Sequence, residues 1–148
     1  MRRHLPERRQ DPIELAARSL AHRDRTRREL DERLERAGVD SEEREAALEK
    51  LERIGYVDDT RVAVSRAEAL AARGQGDEAI RFDLERRGLA AEHVEAALAA
   101  LRPEPERAHE LVERLGRTPK TLSQLRRKGF GADSLETAFG DVIAGNDV

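Results

Sequence analysis

One short pattern recurs three times along this chain and constrains its fold more than any other feature. Leu34-Glu35-Arg36-Ala37-Gly38-Val39, Leu84-Glu85-Arg86-Arg87-Gly88-Leu89 and Leu125-Arg126-Arg127-Lys128-Gly129-Phe130 each place a glycine four residues after a leucine and an apolar residue directly behind it. The agreement continues past the glycine. Nine residues on stand Ala47, Ala97 and Ala138; ten on, Leu48, Leu98 and Phe139; thirteen on, Leu51, Leu101 and Val142. The glycines are 50 and 41 residues apart. Self-similarity at such a period marks a chain of small supersecondary units, none of which buries its apolar face well alone.

The units are helical. Ile13, Ala16, Ala17 and Leu20 follow i, i+3, i+4, i+7 spacing, and the same period runs through Leu30, Leu34 and Ala37 and through Ala47, Leu48, Leu51 and Ile54. It continues in Ala63, Ala67 and Leu70, in Val94, Ala97, Leu98 and Leu101, and in Leu135, Ala138, Phe139 and Val142. Asp11-Pro12-Ile13-Glu14, Asp40 with Glu43, and Thr118-Pro119 have the composition of helix starts, because each offers a side-chain acceptor to unpaired first-turn N–H groups. The expectation is an all-α fold: three tandem three-helix modules, spanning 11–56, 57–102 and 103–145, forming an elongated, curved helical repeat array. Residues 1–10 are expected to be a disordered N-terminal arm.

Composition agrees with thin cores and much surface. Charged residues make up 40% of the 148 residues and aromatics 3%, against about 25% charged in ordinary domains. Cysteine is absent, which excludes disulfides and thiolate metal sites. No apolar run is long enough to span a membrane, and Met1–Gln10 lacks the apolar stretch of a secretory signal. A cytoplasmic protein that makes no membrane contact is expected. His4, His22, His93 and His109 form no i, i+4 pair, and no serine has a nucleophile-elbow context, so neither cofactor, metal nor enzyme activity is expected. Gly74-Gln75-Gly76 lacks the flanks of a phosphate loop and reads as a flexible joint between helices. Asp58-Asp59 reads as a helix start, and Tyr56 as an aromatic packed between modules.

Charge is segregated rather than extreme. The net charge is −3, yet residues 117–128 carry five basic side chains and no acid. Arg126, Arg127 and Lys128 close the helix of the third landmark, and Arg86 and Arg87 hold the same place in the second. Cations there oppose the helix dipole favourably, which is one reading; contact with phosphate or an acidic protein surface is the other. Arg25 and Arg28 belong to a second cluster with Arg23 and Arg27, where Asp24, Glu29, Asp31 and Glu32 are close enough to pair along a helix face.

These residues resemble a known family. Gly55-Tyr56-Val57-Asp58-Asp59-Thr60-Arg61-Val62-Ala63 is similar to the central signature of the RecX regulatory proteins, departing from it at Val62, where an aromatic is common. Arg73-Gly74-Gln75-Gly76 with Ile80, Leu84 and Arg87-Gly88-Leu89 resembles the pattern of that family's second module. Leu125 to Phe130 with Asp133 and Leu135 resembles the ending of its third. The resemblance implies a bacterial modulator, mostly an inhibitor, of RecA ATPase, recombinase and coprotease activity in DNA repair and the SOS response. The implied partner is the RecA nucleoprotein filament, with DNA phosphates inside it as a further contact, and the free protein is expected to be a monomer. Two other readings stand beside it: a direct DNA-binding protein of helix-turn-helix type, and a helical scaffold for another protein. The candidate contact residues are Arg86, Arg87, Arg126, Arg127, Lys128, Arg25 and Arg28.

Overall fold

The computed structural model describes residues 11–145, with side chains for 11–21 and 23–140. The proposed arm of residues 1–10 and the side chain of Val142 lie outside the described residues. Nine helices and no strand occur among the described residues: α1 (Pro12–His22), α2 (Arg27–Arg36), α3 (Ser41–Arg53), α4 (Asp59–Ala72), α5 (Asp77–Arg86), α6 (Ala91–Ala100), α7 (Glu104–Leu115), α8 (Pro119–Arg127) and α9 (Ala132–Gly145). The helices fall into three triplets. The described residues divide into two compact units that part between Asp59 and Thr60, so the second and third triplets share one unit.

In the first unit, Ala16, Leu30, Leu34, Leu48, Leu51 and Val57 form the core, one apolar stripe from each helix plus the residue that follows them. The starts are capped as their sequences dictate. Asp11 accepts from the Ile13 N–H, and Asp40 from the Glu43 N–H. The chain breaks between α1 and α2, inside the arginine cluster. Thr26 there is fully buried and forms a reciprocal capping box with Glu29. Asp59 also serves α2, accepting from the Arg27 backbone N–H at 2.8 Å. The cluster therefore does not lie along one helix face. Arg28 pairs with Glu32, but Arg27 reaches Glu45 and Glu52 on α3, and Asp31 holds Arg44. Partial burial works against the Arg27 charge, yet Glu45 and Glu52 hold its pKa above the ordinary arginine value.

The second unit contains two apolar clusters. Ala63, Ala67, Leu70, Ile80, Leu84, Val94 and Ala97 pack α4, α5 and α6 together. Ala108, Val112, Leu125, Phe130, Leu135 and Phe139 pack α7, α8 and α9. Neither cluster crosses to the other triplet. Backbone hydrogen bonds join them. The Gly76 and Glu78 N–H groups, opening α5, donate to the Lys128 and Gly129 carbonyls that end α8, at 2.8 and 3.2 Å. The positive end of one helix thus meets the negative end of another.

The landmark glycines have φ of 84° (Gly38), 85° (Gly88) and 91° (Gly129), the left-handed conformation that ends a helix. Gly129 has a second reason to be glycine. A Cβ there would stand 2.5 Å from the Ala79 Cβ, whereas one at Gly38 would meet nothing. Gly76 is similarly confined: a Cβ would lie 2.4 Å from the Phe130 nitrogen. Gly74-Gln75-Gly76 is accordingly a docked segment at a tight backbone contact, not the flexible joint expected from its composition. Tyr56 is 61% exposed.

Candidate functional site

The second unit brings the strongest cationic pair of the sequence against an exposed aromatic. Arg126 and Arg127, in the last turn of α8, line a cleft of about 650 Å³ whose other wall is α5, with Phe82 and Arg81 on it. Phe82 lies two residues from both Ile80 and Leu84, which face the core, so helical geometry turns it outward. It is 65% exposed, the most exposed of the large apolar side chains among the described residues. Arg86 lies one turn beyond Phe82 on the same face and is exposed. Arg87, at the C-cap of α5, is half-buried.

Of the other charges around the cleft, Asp83 and Arg81 are engaged, while Glu78 and Glu85 also line it. Arg66 on α4 makes two hydrogen bonds to Asp83, at 3.0 and 3.1 Å, and these hold the Asp83 carboxyl below its ordinary value despite partial burial. Arg81 makes the same fork to Glu95 on α6, at 2.8 and 3.3 Å. That contact lowers the Glu95 pKa and raises that of Arg81. Arg86, Arg126, Arg127 and Lys128, by contrast, make no ion pair among the described residues. Lys128 is exposed and directs its ammonium toward the Gly74 backbone, 3.3 Å from where a Cβ would stand.

The other two sequence candidates lie in the first unit. Arg25 is half-buried and donates from Nε to the Ser19 carbonyl at 3.4 Å; Arg28 is exposed and engaged with Glu32 at 3.2 Å.

A buried polar network that sequence reading did not isolate ties α7 to the start of α5. Arg107 on α7 is 9% exposed. Its Nε donates to the Arg102 carbonyl, one Nη to the Gln75 carbonyl, and the other Nη to the Asp77 carboxylate. Glu104 divides its two oxygens between the Asp77 N–H at 2.6 Å and the Gly131 N–H at 2.9 Å, one amide opening α5 and the other preceding α9. Burial pushes the Asp77 carboxyl above its ordinary value, against the pull of Arg107. Nothing in a chain so rich in Arg and Glu distinguishes Arg107 and Glu104 by spacing. Phe82 did carry a signal, as the one aromatic on the polar face of α5.

No group of His, Asp and Glu among the described residues is arranged to hold a metal ion. None of the described helices is long and apolar enough to cross a membrane.

Two family models match, RecX first three-helix domain over residues 13–51 and RecX second three-helix domain over residues 58–98. These spans cover α1 to Leu51 of α3 and α4 to Leu98 of α6. This chain belongs to the RecX regulatory protein family. The RecX relatives it matches extend further. A regulatory protein RecX from Stenotrophomonas maltophilia (strain R551-3) is 34% identical over 141 residues, 88% of this chain and 86% of that protein. One from Xanthomonas axonopodis pv. citri (strain 306) is 32% identical over 139 residues, covering 87% and 86%. The crystal structure of RecX from Lactobacillus salivarius superposes with a TM-score of 0.78 over 92% of this chain and 97% of that one, at 19% identity. A second RecX crystal structure gives a TM-score of 0.68 over 88% and 72%, at 23% identity. At those identities the structures speak for the fold.

Proposed function

We propose that this chain binds the RecA–DNA filament in the cytoplasm as a monomer and modulates, predominantly inhibits, its ATPase, strand-exchange and coprotease activities without catalysing a reaction of its own. The modules are assigned to residues 11–56, 57–102 and 103–145. The contact residues are Arg126, Arg127, Lys128, Arg86 and Arg87, with Arg25 and Arg28 as peripheral contacts.

One observation carries the assignment. The Lys128 and Gly129 carbonyls at the end of α8 already accept N–H groups from α5. Arg126, Arg127 and Lys128 are therefore not needed to satisfy that terminus, and the charges of Arg126 and Arg127 remain available beside an exposed Phe82. An apolar anchor with unpaired cations around it is the composition of an interaction hot spot. Arg28 makes a weaker case, since its exposed pair with Glu32 is worth no more than about 1 kcal/mol and exchanges readily for a partner's carboxylate. Several modules contacting successive units of a filament add through effective concentration, so each contact can be weak.

The test adds the purified protein, below stoichiometric ratio, to RecA on single-stranded DNA and follows ATP hydrolysis. Hydrolysis should fall, and the combined R126E, R127E and K128E variant should need at least about tenfold more protein for the same effect, with helicity by circular dichroism unchanged. Full activity in that variant would remove the basic cluster from the site. Submicromolar binding to DNA alone, steeply weakened by salt, would instead favour the direct DNA-binding reading. Glu78 and Glu85, which also line the cleft, weigh against it.

A further inference from the structure

The joint between the second and third triplets contains a set of directional polar contacts. Burying an ion pair seldom adds stability over well-packed apolar residues; in some proteins what it adds is a single geometry. Three features enforce that geometry here. All three Arg107 nitrogens find acceptors, two of them on the Gln75–Asp77 segment that opens α5. Glu104 ties the first amide of α5 to the amide that precedes α9. Gly76 and Gly129 admit backbone contact at a distance no side chain allows. The consequence lies at the surface, because the cleft is formed by α5 from one triplet and the end of α8 from the next.

We propose that Glu104 and Arg107 are positioning residues: they lock the start of α5 onto the end of α8 and thereby hold Phe82 and the Arg126–Arg127 pair as one composite contact surface. Neither residue needs to touch the partner. The inference rests on the filament-binding reading above, with Phe82 added to the contact set. It requires that loosening the joint weaken the activity while every helix stays folded.

The absence of cysteine allows a direct measurement. Spin labels on cysteines introduced at Glu92 of α6 and Lys120 of α8, both exposed, report the distance between the two triplets by pulsed electron resonance. Three chemically unrelated changes attack the joint. R107M removes the donors, E104Q leaves one of the two amides facing an NH2 group, and G76A inserts a methyl where there is no room. Each should broaden a distance distribution that is narrow in the parent and raise the protein concentration for half-inhibition of RecA ATPase about tenfold, with helicity retained. Should R107M fail to fold, E104Q and G76A carry the test. F82A and R126E should lower activity without broadening the distribution, which separates contact from positioning. A distribution that stays narrow in the variants overturns the lock, and a broadened variant with full activity overturns the positioning role. A parent protein without effect on RecA overturns the filament reading itself.

Discussion

Asp77 and Asp83 stand on the same short helix and titrate in opposite directions. Asp83 accepts two hydrogen bonds from Arg66, which depress its pKa; Asp77 is raised, chiefly by burial. A depressed carboxyl contributes stability that is present above its unfolded pKa and lost as pH falls through the folded value. A raised one does the reverse: the folded state takes up its proton first, so its contribution improves as pH falls through the folded value. D83N should therefore cost about 0.5–1 kcal/mol at pH 7, a modest figure because both partners are about one-third exposed. It should also flatten the loss of stability below pH 4, as urea unfolding at pH 7 and pH 3 would show. D77N should change the slope in the mildly acid range with the opposite sign. Neither residue was legible as special from sequence. Their partners Arg66 and Arg107 are 17 and 30 positions away, and one pairing among so many charges leaves no local trace.

The helices themselves were legible, because the rules that start and stop them are local. Asp11, Asp40 and Thr118 cap α1, α3 and α8 with the bonds their spacing implied. Thr26 was missed although its spacing to Glu29 fits a capping box, because the surrounding arginines and acids suited one continuous helix face equally well. The landmark glycine was legible as a helix end but not as a contact. Gly38→Ala should cost about 1–2 kcal/mol, the left-handed conformation alone, since nothing stands near its Cβ position. Gly129→Ala should cost about 1–3 kcal/mol more, because its methyl meets Ala79 across the joint. Denaturant unfolding of the two variants reads the difference directly. Equal losses would mean that α5 and α8 can separate at little cost.

At the scale of the whole chain, three repeats were legible and their grouping was not. A repeat is written in apolar spacing, which every module carries alike. Which neighbours merge depends on a few amides and carbonyls whose meeting no periodicity encodes. Glu104 makes the grouping testable without any introduced label. Its two oxygens accept from the Asp77 and Gly131 amides, 54 residues apart in sequence but bound by one carboxylate. If the carboxylate joins the second and third triplets, E104Q should speed hydrogen exchange in both places at once, because opening the joint also frees the Gly76 and Glu78 amides from the α8 carbonyls. Core amides such as Leu30 and Leu48 of the first unit, which no part of this network touches, should keep their parent rates. A rise confined to Gly131 would show that α5 stays docked without Glu104, and would return the joint to the Arg107 contacts alone. A rise that includes the first unit would show global destabilisation in place of a local opening.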